Sequence, residues 1–474
     1  MINSNEKKKS LMQTLRELFL DSDQGKENQG CGCNTPPQPT QNCGCGTPQP
    51  AQTCGCGSPP PPQDCGCGAP QPSQGCGCGS GNQVSSCCSS SVNETFNSIA
   101  QRFGKKKADS SCGCGSINTV GPEDIAKMSQ EELSYYRAYE QINPKVFKNL
   151  DDLFNYKKTG KVPAPTFISI DPTNICNLKC PLCFFGQKTA NYKKGVMSFN
   201  TFKTVVDKIP TLESIALFSF GESFLNPEIF DMIKYASQKD IMTSIHSNFS
   251  FKKDDEFFTN IVQSGLCSLV LSIDGASQDT YSVYRQGGDF DLLISNIRML
   301  NSVKEQLKSE TPVIIWKLMV NKYNEHEVET AKKMAEDLGI LFMTDEITLC
   351  DLIPDADFGE TLEKRKNDWL PKNDKYIKSI YRGEYSYPIN QNSICNQLFE
   401  NLIVNWDGKV FPCCWLTDEN NAFGDLSKES FEDVWHGEKY QYARSMFIPR
   451  DGAPRNINNT ICAACKNFKK TDTF

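Results

Sequence analysis

The sequence predicts an α/β protein. Its expected parts are a partial (β/α)6 TIM-like barrel, a small C-terminal Cys-rich domain and a disordered Cys-Gly-Cys repeat region at the N-terminal side. Three observations predict this. Six short β-like runs alternate with amphipathic helical segments between about residues 121 and 349. Cysteines flank a hairpin signal and a C-terminal turn beyond residue 394. From Gly30 to Ser90 the only charged residue is Asp64, and Gly, Pro, Gln, Ser and Cys supply nearly everything else.

Taking the elements in order, residues 1–120 form a low-complexity zone. Met1 to Leu20 carries Lys7, Lys8 and Lys9 and then SLMQTLRELFL, which Arg16 and Glu17 interrupt. It reads as a short amphipathic helix rather than a signal peptide. Cys-Gly-Cys units begin at Cys31, Cys43, Cys54, Cys65 and Cys76, with a period of eleven after the first step and a degenerate unit at Cys87-Cys88. The Pro-rich spacers have no apolar face and build no core. A second helical stretch, Val92, Phe96, Ile99 and Phe103, leads to Cys112 and Cys114.

Residues 121–160 read as a helical lead-in and 161–349 as the core. Strands are expected at Phe167–Asp171, Ser214–Ser219, Met242–Ser247, Ser268–Ile273, Val313–Met319 and Leu341–Thr344. Helices are expected at Ser198–Lys208, Pro227–Gln238, Lys253–Ser264, Phe290–Leu307 and Glu325–Leu338. Residues 350–394 read as a linker and 395–474 as the Cys-rich domain. A parallel barrel places its chemistry at the C-terminal ends of the strands.

Composition narrows the function. Lys and Arg total 50 against 57 Asp and Glu, a net charge of -7, which argues against nucleic-acid binding. No apolar run approaches the ~18 residues of a membrane span, so a cytoplasmic protein is expected. The 24 cysteines fall fourteen before Ser116 and ten after it. With no export signal they point to metal or cofactor ligation or modified thiols, not a disulfide scaffold.

Cys176-x3-Cys180-x2-Cys183 follows the first strand. Three thiolates on one short loop can hold three corners of a [4Fe–4S] cube and leave one iron open. Zinc is the alternative metal, although its structural sites usually close with a fourth nearby ligand. Cys395, Cys413, Cys462 and Cys465 could form a second, closed site, with Asp407-Gly408 as the hairpin turn between them. Spacing alone does not choose between zinc and a cluster there.

The segment FISIDPTNICNLKCPLCFFG resembles the signature of radical S-adenosylmethionine (radical SAM) enzymes. The resemblance implies a [4Fe–4S] cluster on Cys176, Cys180 and Cys183 whose open iron binds SAM. It implies SAM contacts from Gly221 and Glu222, Asn248, Ser272, Asp274 and Arg285, with Val320-Asn321 as a further pocket stretch. Phe220 stands where relatives have the first Gly of a Gly-Gly-Glu motif, and Leu182 where many have an aromatic residue.

The C-terminal segments CNQLFENLIVNWDGKVFPCC and CAAC resemble a SPASM/twitch extension. That implies one auxiliary [4Fe–4S] cluster on Cys395, Cys413, Cys462 and Cys465, which accepts an electron or binds substrate. Cys414, Asp345 and Glu346 are the candidate acid/base residues. The implied partners are SAM, an electron donor such as flavodoxin or ferredoxin, and a peptide or small-molecule substrate, with no nucleic acid and no membrane. The expected function is an oxidoreductase that abstracts hydrogen through a 5′-deoxyadenosyl radical, and a peptide maturase is one form of it. The alternatives are a metal-binding scaffold without turnover and a small-molecule dehydrogenase with a metal-buffering tail. The repeats read as substrate, as soft-metal tail or as linker.

Overall fold

The computed structural model describes residues 150–187, 192–349, 360–378, 381, 395–414, 416, 418–450, 452–454 and 460–465. The repeat zone, its two expected helices, most of the lead-in and Cys350 lie outside the described residues.

The chain enters through α1 (Leu150–Thr159) and runs into β1 (Phe167–Ile170). Then follow α2 (Phe184–Gln187), α3 (Phe199–Asp207), β2 (Ser214–Ala216), α4 (Ile229–Gln238), β3 (Met242–Ser247), α5 (Asp255–Gln263) and β4 (Ser268–Ser272). Next are α6 (Gln278–Tyr284), α7 (Phe290–Gln306), β5 (Val313–Val320), α8 (Val328–Asp337), β6 (Leu341–Glu346) and α9 (Leu362–Trp369). The C-terminal part has α10 (Gln397–Glu400), β7 (Ile403–Val404), β8 (Lys409–Phe411), β9 (Gly424–Asp425), α11 (Phe431–Trp435), α12 (Glu438–Ser445) and α13 (Ile461–Ala464).

The sheet order is β6-β5-β4-β3-β2-β1-β7-β8-β9. The first six strands are parallel neighbours in sequence order, as in the expected partial barrel. β2 is shorter than expected, because the chain leaves the ladder before Phe218. α6 was not expected from the sequence; Ser277 caps it by accepting from Thr280 N. The C-terminal hairpin continues the same sheet. β7 pairs parallel to β1, Ser169 with Ile403 and Ile170 with Val404, and β8 and β9 follow antiparallel. The hairpin turn is made by Gly408 at φ +87°, a conformation glycine adopts without penalty.

Side-chain alternation explains the two faces. Ile245, Leu269, Leu271, Ile314, Trp316 and Leu318 point to the helices and join the main core. The helices present matching stripes, such as Val328, Ala331 and Ala335 on α8 and Phe257, Phe258, Ile261 and Val262 on α5. Each of the larger side chains stabilises the fold by about 1.5–3 kcal/mol if fully buried, and each alanine methyl by less. On the other face His246 registers with Val270, Val270 with Ile315 and Ile315 with Leu341. Val270, Val313 and Ile315 pack there with Leu341 and Met343 as a smaller cluster. One level on, Ser272 pairs with Lys317. His246 stacks on Phe218 with ring centres 3.5 Å apart and planes at 10°.

Two outcomes follow from this packing. Trp316 is fully buried and its indole N–H donates to the Ile273 carbonyl at 2.9 Å. Trp316→Ala should therefore cost about 3–5 kcal/mol, read as a lower denaturant midpoint. Burial, with Lys317 and Arg285 nearby, pushes the His246 imidazole down to about 3 from 6.5. Between these values the unfolded chain binds a proton that the folded chain refuses. Stability should fall as pH drops through that window, by up to about 1.4 kcal/mol per pH unit from this group. His246→Gln should flatten that slope in denaturant midpoints taken at stepped pH.

Candidate active site

The expected cluster and SAM-pocket residues of the core lie at or beyond the C-terminal end of a strand, Ser272 being the last residue of β4, whereas Asp345 and Glu346 lie within β6. The loop after β1 carries Cys176, Cys180 and Cys183, with Cys183 just ahead of α2. Cys180 is buried and the other two are half-buried. The loop is anchored by its own polar groups. Asn174 donates to Lys193 O at 2.8 Å and accepts from Gly195 N at 2.9 Å. Asn177 donates to Ser250 O at 2.9 Å.

The donors around the sulfurs suit a thiolate-bound group. Leu178 N lies 3.4 Å from the Cys176 sulfur, Asn248 Nδ2 3.9 Å from it, and Arg285 Nη1 3.7 Å from the Cys180 sulfur. Burial pushes the Cys176 thiol up to about 12 and the Cys180 thiol up to about 11. The Leu178 N–H works against the first rise and Arg285 against the second. Buried thiols that are costly to ionise alone, yet already supplied with donors, match ligands whose charge an iron cluster neutralises.

Gly221 and Glu222 pack directly on this loop. Gly221 has φ +74°, and a Cβ there would lie 2.3 Å from Thr173 O, so only glycine fits. Glu222 N donates to Ile175 O at 2.9 Å. The Glu222 carboxylate is 1% exposed and accepts from Ser247 Oγ and Asn248 N, each at 2.8 Å. Burial nevertheless pushes it up to about 7. Asp274 is fully buried, takes Met319 N at 2.8 Å, and forms a 2.6 Å ion pair with Arg285 Nε. Burial opposes the Arg285 charge, but Asp274 and Cys180 outweigh it and hold the guanidinium well above its ordinary value. The structure thus brings together two chains of contacts, Cys176–Asn248–Glu222 and Cys180–Arg285–Asp274, and Glu222 feels the Arg285 charge across them. Ser272 stands beside them at the end of β4.

The other candidates lie apart from those contacts. Asp345 is exposed on β6 and pairs with Lys317 at 3.4 Å, and Glu346 N donates to the Asp345 carboxylate at 2.9 Å. In the C-terminal part, Cys395 stands just ahead of α10, and its carbonyl accepts from Leu398 N at 3.1 Å. Its thiol is pushed up to about 11 by burial and feels Cys465 and Cys414. Cys462 is raised by burial, with Cys395 and Cys465 next, and Tyr440 senses Cys462, Cys395 and Cys413. Cys395, Cys462 and Cys465 therefore neighbour one another electrostatically, which fits a shared cluster, and Cys413 is linked to them through Tyr440 and Cys414. A hydrogen bond from the neighbouring thiol of Cys413 lowers the Cys414 thiol. Among the described residues, no three His, Cys, Asp or Glu side chains converge on a single metal ion.

Sequence reasoning missed a cleft. Asp171, one residue past β1, accepts from Phe220 N at 3.0 Å, and burial pushes its carboxyl up to about 8. It lies at a cleft walled by Phe185, Tyr192 and Phe220 from the core and by Asn405, Phe411 and Leu416 from the C-terminal hairpin. Phe185 packs on Tyr192 at 4.0 Å and on Phe220 at 4.6 Å. A carboxylate ending a strand beside the cysteine motif was the available signal.

Comparison with known proteins places this geometry. The radical SAM superfamily profile matches residues 170–335, and the SPASM iron–sulfur cluster-binding domain profile matches residues 395–466. A 7,8-dihydro-6-hydroxymethylpterin dimethyltransferase of Methanocaldococcus jannaschii is 24% identical over 326 residues, covering 61% of this chain and 63% of the relative. This chain thus spans less than two thirds of that relative's length. The mycofactocin maturase MftC of Mycobacterium tuberculosis is 21% identical over 286 residues, covering 57% of this chain and 70% of the relative. Among solved structures, Streptococcus suis SuiB bound to its precursor peptide SuiA aligns with TM-score 0.47 and 14% identity, over 67% of this chain and 73% of that one. The first profile runs from the end of β1 into α8 and the second from Cys395 past α13, so the chain carries a radical SAM domain and, beyond it, a SPASM iron–sulfur cluster-binding domain.

Proposed function

We propose that this protein is a radical SAM oxidoreductase acting on a peptide, with one auxiliary cluster in its SPASM domain. The observation that carries the reading is the buried network linking two cluster thiols to Glu222 and to the Asp274–Arg285 pair. A scaffold that only stores a cluster has no need of such a network. When bound, the open-iron cluster supplies the electron that cleaves SAM to methionine and a 5′-deoxyadenosyl radical.

The protein's own groups do the rest. Glu222 receives the ammonium of SAM. A cation arriving there favours the ionised carboxylate that burial alone disfavours, so binding and ionisation reinforce each other. Arg285, oriented by Asp274, offers its fork to the SAM carboxylate. Asn248 ties Glu222 to the cysteine loop through its own N–H and its side-chain contact with Asn177 Oδ1 at 2.9 Å. Cys395, Cys413, Cys462 and Cys465 would hold the auxiliary cluster, which would supply an electron acceptor or a substrate ligand. A flavodoxin or ferredoxin supplies the reducing electron. The maturase relative supports a peptide substrate, and the pterin dimethyltransferase relative favours a small molecule as the second reading. Among the described residues no helix is long and apolar enough to cross a membrane.

Anaerobic reconstitution with SAM and a reductant should yield 5′-deoxyadenosine, and no product from a fully loaded enzyme overturns the reading. Replacing Cys176, Cys180 and Cys183 together by Ala should remove about four irons per chain and abolish that product. Glu222→Gln and Arg285→Met should each raise the KM for SAM about 10–100-fold, equivalent to about 1.4–2.8 kcal/mol, while the iron content stays put. A loss of iron instead would make these residues structural.

A further inference from the structure

Asp274 and Arg285 stand at the two ends of one segment, which leaves β4, forms α6 and closes it at Arg285. The chain that leaves β5, residues 321–327, anchors that segment at two places. Asn324 is fully buried and donates through Nδ2 to Asp274 O at 3.1 Å and to Met319 O at 3.0 Å. Its Oδ1 accepts from Asn321 N at 2.7 Å. Three residues on, the Glu327 carboxylate accepts from Ala276 N at 2.7 Å, from Ser277 Oγ at 3.1 Å and from Thr280 Oγ1. Ser277 is the residue that caps α6, and Thr280 lies in its first turn. Gly275 packs so closely on this turn that a Cβ would lie 2.4 Å from Tyr281 N. At the far end, Arg285 N donates to Tyr281 O at 2.8 Å, and the Arg285 side chain pairs with Asp274.

A guanidinium meets a carboxylate with two parallel bonds only from a fixed direction. Arg285 takes its direction from the Asp274 carboxylate and from the point where α6 ends. α6 has seven residues, too few to hold a helix by itself, so its tertiary contacts decide where its last turn points. Glu327 supplies those contacts at its start. Without the carboxylate, one backbone N–H and two hydroxyls lose their acceptor, and α6 is free to swing about Asp274. The bonds of Glu327 go to this turn, not to Arg285 or to the cysteines. We propose that Glu327 is a positioning residue for SAM binding, which sets the reach of Arg285 by holding the start of α6. The proposal rests on the reading of Arg285 as the group that takes the SAM carboxylate. Glutamine can replace the carboxylate here. Its oxygen accepts from Ala276 N, and the Ser277 and Thr280 hydroxyls turn to accept from its amide.

The test measures equilibrium binding of radiolabelled SAM to the reconstituted, unreduced full-length protein, so turnover plays no part. Glu327→Ala should raise the Kd for SAM about tenfold at unchanged iron content. Glu327→Gln should stay within about threefold of the parent protein. Glu329→Gln, which removes the same charge from an exposed position on α8, should leave the Kd unchanged. Thr280→Val deletes one of the three donors at nearly constant volume and should raise the Kd about threefold, which keeps the test open if the alanine variant does not fold. The double variant identifies the route. In an Arg285→Met background Glu327→Ala should add less than about twofold, because the group it orients is gone. A full tenfold loss in that background, an unchanged Kd in Glu327→Ala, or a loss of iron from it overturns the proposal and leaves Arg285 as a SAM ligand. A Kd that Arg285→Met itself leaves unchanged overturns the reading beneath and this proposal with it.

Discussion

The site depends on β1 being an interior strand. β2 pairs with one edge of β1 and β7 with the other, so its end is enclosed. The chain that leaves it must satisfy its polar groups within the protein. It does so through short side chains. Thr173 donates to Gly195 O at 2.7 Å, Asn226 donates to Pro172 O and Met197 O at 2.9 Å each, and Asn174 bridges residues 193 and 195. These bonds hold the cysteine loop against Gly221 and Glu222 before any ligand arrives. Pre-positioned ligands lower the ordering cost of binding a cluster or a substrate.

Burial then sets the electrostatics. Cys176, Cys180, Glu222 and Asp171 are all pushed toward their neutral forms. Arg285 alone keeps its charge firmly, because Asp274 lies 2.6 Å from it in a buried pair. Such a site holds unmet preference for positive charge around the thiols and Glu222. An iron cluster and an ammonium would supply that charge. Arg444 plays a structural counterpart in the SPASM part. It is fully buried, donates to Leu398 O at 2.8 Å and Trp435 O at 2.6 Å, and packs over Trp435 and Tyr440. It pins α12 to the segment that follows Cys395.

Two departures from the radical SAM pattern find physical reasons. Phe220 keeps the backbone contact expected of a glycine, through its N–H to Asp171, while its ring fills space against Phe185. Leu182 is 5% exposed and packs in a small cluster with Leu178 and Tyr284, so an apolar residue suits that position. The aromatic surface moves to Phe185, Tyr192 and Phe220, on the side facing the SPASM hairpin.

The sequence by itself determined the alternation of strands and helices, because apolar periodicity is local and each strand needs one face for the helices. It also determined the cysteine loop, whose chemistry is written in spacing, while the glycine–glutamate pair followed from the resemblance to the radical SAM signature. It could not show that β7 docks beside β1. Two residues, Ile403 and Val404, carry that pairing, too few for a periodic signal. Nor could it show that Asp171 lies buried in a cleft, or that Asp345 is exposed and tied to Lys317. Burial and the neighbours of a charge are properties of the packed sheet, set by residues distant in the chain. Only the tertiary structure decided them.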